Sequence, residues 1–380
     1  MAELLLLRYE SEEAERSPEL RYLASSCLAA ARRVFGPVVE IRWRPGAGEP
    51  ALAGEGPLLV FGEASVHLGA ASLERMKAAT DAGAAVVVPQ RLDSFPLATD
   101  EPVHTLRAFE RLEGRILGGE LESSARRTSH LPVALFSPAF FAAELRRRSP
   151  ATLLTDHRLL DDLGAGDPVH AGVFYRFIDY YGEVRDDILP FLPPDARDVL
   201  DVGCGRGMTG ALLEERLGCR VTGVELNPEV AADAARRLSR VIVGDVEQLE
   251  IAERFDAVVA TELFEHLSYP ETFLARMKEL VRPGGRIVLS VPNIGHYSVV
   301  EDLLAGRWDY VPMGLLCYTH FRFFTRATLE SWIERAGFTT YEIVAQQGEL
   351  PERFAGLGDG LEIDRESLRT TGFYVVLNVP

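Results

Sequence analysis

A run of small and apolar residues at 199–207 restricts the fold of this chain more than any other part of the sequence. It has the pattern of a buried strand, V-L-D-V, which ends in a glycine-rich turn, G-C-G-R-G, and opens a helix over 208–217. Glycines let a backbone approach a ligand because they carry no Cβ, and a helix start offers free N–H groups. Ligands of open α/β sheets bind at this edge, so the run predicts a ligand site.

The spacing of the glycines separates two kinds of cofactor. A dinucleotide fingerprint, G-x-G-x-x-G, would need glycine at the position of Met208. Here the glycines are Gly203, Gly205 and Gly207, and Asp201 precedes the first of them by two residues. This pattern resembles the first motif of class I S-adenosylmethionine-dependent methyltransferases, which is an acid followed by G-x-G-x-G.

The resemblance continues in order along the second half of the chain, over essentially residues 186–380. It implies that Glu225, at the end of a second strand, accepts hydrogen bonds from both ribose hydroxyls. It also implies that Asp245, at the end of a third strand, accepts a hydrogen bond from the adenine amino group. The segments 255–262 and 282–285 complete the family pattern. The cofactor site implied by the resemblance consists of these residues: Asp201, Gly203, Cys204, Gly205, Gly207, Glu225, Leu226, Asp245, Val246 and Thr261.

The alternation of β-like and amphipathic segments predicts an α/β fold. We expect a Rossmann-like class I methyltransferase domain with a mostly parallel seven-stranded sheet over residues 186–380, because its strands are apolar enough to be covered on both faces. A smaller α/β accessory domain over 1–150 is expected to precede it. Residues 151–185 are predicted to be a linker that includes an aromatic helix, with these residues crowding one side: Phe174, Tyr175, Phe177, Ile178 and Tyr181.

The first half of the chain has its own strand and helix pattern. Predicted strands lie at 4–7, 38–43, 58–61, 85–88 and 133–136, and predicted helices lie at 19–34, 72–82 and 138–148. The middle of this half resembles A-type glycosyltransferases, which need an Asp-x-Asp at a strand end, whereas this chain offers the single acid Glu63. We therefore expect a non-catalytic domain that contacts the acceptor, forms a homodimer or docks a partner.

The chemistry is predicted to depend on a cluster that follows the fourth strand of the second domain. Glu262, Glu265 and His266 are spaced i, i+3 and i+4, which places them on one face of a helical turn, and His320 lies beyond the fifth strand. The cluster resembles that of ubiquinone-pathway and small-RNA O-methyltransferases, where it holds a divalent metal near the acceptor oxygen. Three hypotheses stay open: Mg²⁺ or Zn²⁺ bound by these four side chains, His266 or His320 acting as a metal-free base, or a Glu–His pair whose members hydrogen-bond each other or shape the pocket floor.

The acceptor is expected to lie under the segment that follows the fifth strand. The block from S-V-P-N at 290–293 to T-H-F-R-F-F-T at 319–325 resembles methyltransferases of bacterial cell-surface polysaccharide and secondary-metabolite pathways. Cys317 departs from that group, which commonly has an acid there. His296 is a further candidate base, although a histidine packed on Tyr297 or Trp308 is an equal alternative.

Composition excludes several other classes of protein. The net charge of −17 disfavours nucleic acid as a partner, because phosphate binding needs clustered Lys and Arg. The four cysteines have no C-x-x-C spacing, which favours free thiols in a reducing compartment. Neither a signal peptide nor an apolar run long enough to span a membrane is apparent, so a cytoplasmic location is predicted.

The sequence therefore predicts an S-adenosylmethionine-dependent methyltransferase that O-methylates a small-molecule, sugar or lipid-linked acceptor. Methyl transfer from a sulfonium is an in-line displacement, so an oxygen acceptor requires alignment and loss of its proton. The alternatives are a C- or N-methyltransferase of a natural-product pathway and a two-domain binding protein whose methyltransferase fold serves assembly.

Overall fold

The chain folds into two compact units. The computed structural model describes residues 3–10, 17–44, 51–62, 66–92, 105–118, 133–146, 148–149, 153–154, 169–176, 181–311, 314–354 and 362–380. One unit consists of Met1–Ile178 with Val311–Met313, and the other consists of Asp179–Tyr310 with Gly314–Pro380. Among the described residues, none of the helices has the length and apolarity that crossing a membrane requires.

The first unit contains one mixed sheet of seven strands in the order β2-β1-β3-β6-β5-β7-β4. Strands β1, β2 and β3 are parallel, whereas β6 runs antiparallel to both of its neighbours. The described elements of this unit are β1 Leu4–Tyr9, α1 Pro18–Phe35, β2 Val38–Trp43, β3 Leu58–Phe61, β4 Val66–His67, α2 Ala70–Asp81, β5 Val86–Leu92, α3 Leu106–Leu117, β6 Val133–Phe136, α4 Pro138–Phe140 with a π-helical continuation Phe141–Leu145, and β7 Val169–Arg176.

Apolar residues on both faces explain why this sheet is buried. Leu4 and Leu6 pack in one hydrophobic cluster, while Leu5 and Leu7 pack in another, as expected for a strand whose successive side chains point in opposite directions. Helix α1 begins where the Ser17 hydroxyl accepts the Leu20 N–H, which satisfies one of the free donors of the first turn.

The predicted aromatic helix is wrong over residues 169–176, and its residues Phe177 and Ile178 lie outside the part of the chain that the structure describes. Residues 169–176 form strand β7, which pairs in parallel with β5 and antiparallel with β4. Aromatic and β-branched residues are common in strands, and the partner strands lie some 80 to 110 residues away in sequence. Whether this segment forms a helix or a strand is therefore decided by pairing with distant strands, which the local sequence pattern does not show.

The second unit carries the glycine-rich turn. Its elements are a 3₁₀ helix Asp186–Phe191, β8 Asp198–Val202, α5 Met208–Leu217, β9 Arg220–Glu225, α6 Pro228–Ala234, β10 Arg240–Val243, β11 Phe255–Thr261, a 3₁₀ turn Phe264–His266, α7 Pro270–Leu280, β12 Val281–Pro292, α8 Tyr297–Leu304, α9 Arg326–Arg335, β13 Tyr341–Gln347, a 3₁₀ turn Glu352–Phe354, α10 Arg365–Arg369 and β14 Thr370–Asn378.

The sheet of this unit has seven strands in the order β10-β9-β8-β11-β12-β14-β13. The first five are mutually parallel, and only β14 runs antiparallel to its neighbours β12 and β13. This confirms the predicted Rossmann-like, mostly parallel sheet.

Both faces of this second sheet are covered. Val199 of β8 packs in one hydrophobic cluster, and Leu200 packs in the other. The carboxyl ends of β10, β9, β8, β11 and β12 consequently form one continuous edge, which is where ligands of such sheets bind.

Candidate functional site

The glycine-rich turn follows β8 and brings the backbone close to a neighbouring segment. Gly203, Gly205 and Gly207 all have positive φ, at 73°, 53° and 77°. A Cβ on Gly205 would lie 2.5 Å from the carbonyl oxygen of Tyr181, so this position has no room for a larger residue. The turn is thereby held against the chain that precedes the sheet.

The N–H groups of the turn are largely satisfied within the protein. Gly203 and Cys204 both donate to the Val224 carbonyl, at 2.8 and 3.1 Å, and Gly205 donates to the Glu225 carboxylate at 3.1 Å. Such a turn differs from a phosphate cradle, whose N–H groups point at the ligand. It suits a cofactor without phosphates that approaches the turn through van der Waals contact.

Two carboxylates predicted to bind the cofactor lie beside the turn and are buried. Glu225 accepts the N–H groups of Gly205 and of Asn227, the latter at 2.8 Å, and burial raises its pKa. Asp201 has one oxygen, Oδ2, that is buried without a hydrogen-bond partner. Burial, and then the charge of Glu225, raise the pKa of Asp201 to about 7.

The remaining predicted cofactor residues continue along the same edge. Asp245 follows β10, and its carboxylate accepts the Glu247 N–H at 2.9 Å and the Gln248 side-chain amide at 2.8 Å. Leu226 is exposed next to Glu225, Val246 and Cys204 are buried, and Thr261 ends β11. The predicted residues thus follow the carboxyl ends of β10, β9, β8 and β11.

Glu265, His266 and His320 come together at the end of β11. One ligand-capable atom of each residue lies within 4.8 Å of those of the other two. Backbone hydrogen bonds explain how His320, distant in sequence, reaches this place, because the N–H groups of Phe321 and Arg322 both donate to the Glu265 carbonyl, at 2.9 and 3.1 Å. Three of the four predicted metal ligands are therefore neighbours.

The hydrogen bonds of the two imidazoles assign their tautomers. Nδ1 of His266 lies 3.1 Å from the Thr319 carbonyl, and Nδ1 of His320 lies 3.2 Å from the Leu315 carbonyl. A carbonyl oxygen only accepts, so both Nδ1 atoms carry the proton and both Nε2 atoms carry a lone pair when the rings are neutral. This is the arrangement of metal-binding histidines, which donate their second N–H to a carbonyl or carboxylate.

Glu265 is fully buried, and neither of its carboxylate oxygens has a hydrogen-bond partner. Its Oε1 lies 3.8 Å from Nε2 of His320. Burial raises the pKa of Glu265 well above its usual value, and the charge of Glu262 adds to this. Burial, and then the proximity of His266, lower the pKa of His320 to about 3, so His320 stays neutral at physiological pH and is a weak base.

Glu262 does not share a helical face with Glu265 and His266, contrary to the sequence expectation. The 3₁₀ turn begins only at Phe264, and Glu262 has φ 49°, the only positive φ at a non-glycine position among the residues that the structure describes. Its carboxylate pairs instead with Arg185 at 3.2 Å and accepts the Ser290 hydroxyl at 2.6 Å. The left-handed backbone turns this side chain away from the helical register.

Arg185 is a site residue that sequence reasoning missed. Its side chain is only 11 % exposed. Nη1 donates to Glu262, which follows β11, and at 3.2 Å to Ser290 of β12, while Nε and Nη2 both donate to the Asp187 carboxylate at 3.1 Å. Its backbone N–H donates to the hydroxyl of Thr209 in the first turn of α5, at 3.1 Å. In the sequence Arg185 lies between the acidic residues Glu183 and Asp187. This arrangement gave only a weak indication of a functional site, because it is also common on solvent-exposed surfaces.

His296 lies outside the group formed by Glu265, His266 and His320. It is the N-cap of α8, where Nδ1 faces the Ser298 N–H and hydroxyl, and its ring centroid lies 4.2 Å from that of Tyr297. The geometry agrees with the alternative of a packed histidine.

Comparison with known proteins places the similarity in the second half of the chain. A family model described as a methyltransferase domain matches residues 175–343. The ubiquinone biosynthesis O-methyltransferase of Nitrosococcus oceani is 30% identical over 151 residues, which are 37% of this chain and 62% of that protein. The mitochondrial enzyme of the same name from Homo sapiens is 30% identical over 220 residues, 53% of this chain and 57% of that protein.

The chain thus spans about three fifths of the length of these curated relatives. Among solved structures, a SAM-dependent methyltransferase from Archaeoglobus fulgidus is 20% identical, with a TM-score of 0.39, and the match covers 51% of this chain and 90% of that one.

Proposed function

We propose that the chain, whose residues 175–343 match a methyltransferase domain, uses S-adenosylmethionine to methylate an oxygen atom of a small-molecule acceptor. The observation that carries this proposal is the buried Glu265 carboxylate, which has no hydrogen-bond partner and lies within 4.8 Å of a nitrogen atom of each of two imidazoles with defined tautomers. Leaving a buried acid unsatisfied is costly, so its retention favours a role in binding or catalysis.

The predicted cofactor residues give the direction in which S-adenosylmethionine would lie. Asp245 and Glu225, after β10 and β9, would contact adenine and ribose, so the amino-acid end must extend toward β11 and β12. Arg185 lies there and would attract the cofactor's α-carboxylate through Nη1, because its Nε and Nη2 already bond the Asp187 carboxylate at 3.1 Å. The methyl group would then lie near Thr261 and the 3₁₀ turn.

The donor set suits a divalent metal. Two neutral imidazoles and one carboxylate, Glu265, favour Zn²⁺ or Mn²⁺ over Mg²⁺, which prefers oxygen ligands. The unpartnered oxygens of Glu265 are the gap that such an ion would fill. When bound, the ion would lower the pKa of the acceptor hydroxyl and hold its oxygen.

The protein's own contribution is chiefly alignment. Thr319 and Leu315 fix the two rings through their carbonyls, so Nε2 of His266 and of His320 keep a defined direction. Arg185 and Glu225 would hold the two ends of the cofactor, which leaves the methyl carbon little freedom. If no metal binds, His266 is the better base, because the pKa of His320 is lowered to about 3.

The acceptor is proposed to have an apolar part. Phe321, adjacent to His320, is 61 % exposed, and Tyr269, three residues after His266, is 69 % exposed. Tyr310 and Tyr318 are also exposed, with ring centroids 6.1 Å apart. Exposed aromatic side chains near a site commonly mark a binding surface.

A labelling experiment tests this function. The full chain would be incubated with methyl-deuterated S-adenosylmethionine and a small-molecule extract of its source organism, with and without chelator, and compared with Glu225→Ala. We expect a hydroxyl-bearing metabolite to gain the label, the label to fall on chelation, and Glu225→Ala to give none. Absence of label while the protein binds S-adenosylhomocysteine would contradict the proposal.

Several other expectations stay predictions. A cytoplasmic location, a homodimer formed through residues 1–150 and the exclusion of nucleic acid remain untested. The glycosyltransferase-like reading also remains a prediction, and its single acid, Glu63, lies outside the described residues. A mixed α/β sheet, as in the first unit, is compatible with that reading without favouring an activity.

A further inference from the structure

The hydrogen bonds of Glu247 join the loop that follows β10 to the segment that follows the 3₁₀ turn at 264–266. Glu247 lies two residues after Asp245. Its carboxylate oxygens Oε2 and Oε1 accept the backbone N–H groups of Ser268 and Tyr269, at 3.0 and 2.7 Å. Ser268 in turn lies two residues after His266. One side chain therefore connects the loop proposed to bind adenine with the turn proposed to act on the acceptor.

The peptide group between Ser268 and Tyr269 is held on both sides. Its N–H donates to Glu247, and its carbonyl accepts a hydrogen bond from Nη2 of Arg322 at 2.9 Å. Arg322 belongs to the segment that carries His320 and that is attached to the 3₁₀ turn through backbone hydrogen bonds. The position of this one peptide group therefore affects both parts of the proposed reactive centre.

A capping role explains only part of this arrangement. An acid near the start of a helix is favoured by the helix dipole, and the N-cap residue of α7, Tyr269, makes no side-chain cap of its own. Arg276 of α7, however, already attaches the loop to the helix. Its guanidinium donates to three backbone carbonyls of the loop, those of Val246, Glu247 and Leu249. What Glu247 adds is a fixed position for the segment that leads back to the 3₁₀ turn.

A ligand on the adenine side would act on Glu247 through Asp245. Oδ1 of Asp245 accepts the Glu247 backbone N–H at 2.9 Å, and Oδ2 accepts the side-chain amide of Gln248 at 2.8 Å. Gln248 is exposed, so the adenine amino group can take its place on Oδ2. The bonds from Ser268 and Tyr269 to Glu247 are also exposed to solvent, and exposed hydrogen bonds open at a low cost in free energy. A ligand that fixes Asp245 also fixes the Glu247 backbone and reduces their opening.

We propose that Glu247 is a positioning residue, through which a ligand bound to Asp245 orders the 3₁₀ turn and the attached 320–322 segment. The inference rests on the proposed function, because it takes the end of β10 as the adenine side and the turn as the acceptor side. Cofactor binding then prepares the acceptor side, and by reciprocity an acceptor held at the turn tightens cofactor binding. A loss of local motion at one site is sufficient to carry this coupling to the other.

Hydrogen exchange of backbone amides tests this coupling without an acceptor. The probe amides are those of His266, Phe321 and Arg322, which donate to carbonyls within or next to the turn. The ligand is 5′-methylthioadenosine, which carries adenine and ribose but lacks the amino-acid end of the cofactor. In the full chain we expect it to slow exchange of the probe amides by about 10-fold. In Glu247→Ala it should still slow exchange over 244–246, while its effect on the probe amides falls below about 2-fold.

Two further variants make the outcomes distinguishable. Glu250→Ala removes an exposed acid of the same loop and should behave as the wild type. Glu247→Gln keeps one acceptor oxygen and should give an intermediate effect, which supplies the comparison if Glu247→Ala does not fold. Equal slowing of the probe amides in the wild type and in the Glu247 variants would overturn the inference alone. If neither 5′-methylthioadenosine nor S-adenosylhomocysteine slows exchange over 203–210 and 244–246 in the wild type, the cofactor site fails, and the proposed function and the inference fail with it.

Discussion

Two glutamates, one in each unit, are both buried, but only one of them has hydrogen-bond partners for its carboxylate. Glu113 of α3 accepts the backbone N–H of Ser72 at 3.0 Å and also its hydroxyl, at the start of α2. Glu265 has no hydrogen-bond partner at either oxygen. Burial is the main cause of a raised pKa in both.

The contrast shows that burial and a shifted pKa do not by themselves distinguish a functional acid from a structural one. Glu113 acts as a cap, because a carboxylate at a helix start satisfies donors that the helix leaves free. A Cβ on Gly69 would lie 2.7 Å from that carboxylate, so the packing around it is closed. Glu265 has no such donors, and we propose that it binds a group outside the chain.

The largest effect is expected for Glu265→Gln. Loss of a metal ligand should lower kcat/KM by roughly 10³-fold, since a bound ion contributes several kcal/mol to such reactions. The melting temperature of the metal-free protein should stay nearly the same, because glutamine replaces one buried, unpartnered polar group by another of similar size. Methyl transfer and thermal unfolding are measured on the same preparation, and a large fall in melting temperature would make Glu265 a structural acid like Glu113.

Asp201 extends the comparison to a third buried acid. Its pKa of about 7, against 3.8 for the unshifted group, means that the folded state holds its proton more tightly than the unfolded state does. Its contribution to stability therefore declines as pH rises from about 4 to about 7, by at most about 4 kcal/mol. Chemical denaturation at pH 5 and pH 8 should show a smaller decline in Asp201→Asn; identical pH profiles would contradict the raised pKa.

The smallest effect is expected for Glu113→Ala, as a matched change in the first unit. Loss of the cap and of the Ser72 hydrogen bonds should reduce the free energy of unfolding by about 2 kcal/mol. Affinity for S-adenosylhomocysteine, measured by calorimetry, should not change. Glu74→Ala, on the exposed face of α2, serves as the control, and a loss of affinity in Glu113→Ala would remove the distinction between the two glutamates.

The sequence predicts much of the fold, because local signals agree with the tertiary structure in most places. The predicted strands at 38–43, 58–61 and 133–136 and the helix at 208–217 have the bounds observed. Helix α3 was not predicted, although it carries Glu113. Strand β7 was predicted as a helix, since its identity depends on pairing with distant strands.

The site was predictable where its residues are close in sequence or belong to a motif. The E-x-x-E-H spacing and a later histidine identified the three residues that the fold brings together. Arg185 was not predictable, because it lies 77 residues from Glu262 and no motif contains it. The left-handed backbone conformation of Glu262 was also not predictable from the sequence, since glutamate has no preference for that conformation.

The attachment of the 320–322 segment to the Glu265 carbonyl has a consequence for how such proteins diverge. Both bonds are made by backbone N–H groups, which every residue except proline supplies. Substitutions at Phe321 and Arg322 can therefore alter the surface offered to an acceptor while His320 keeps its place. A scaffold of this kind can acquire new acceptors over evolutionary time without rebuilding its reactive centre.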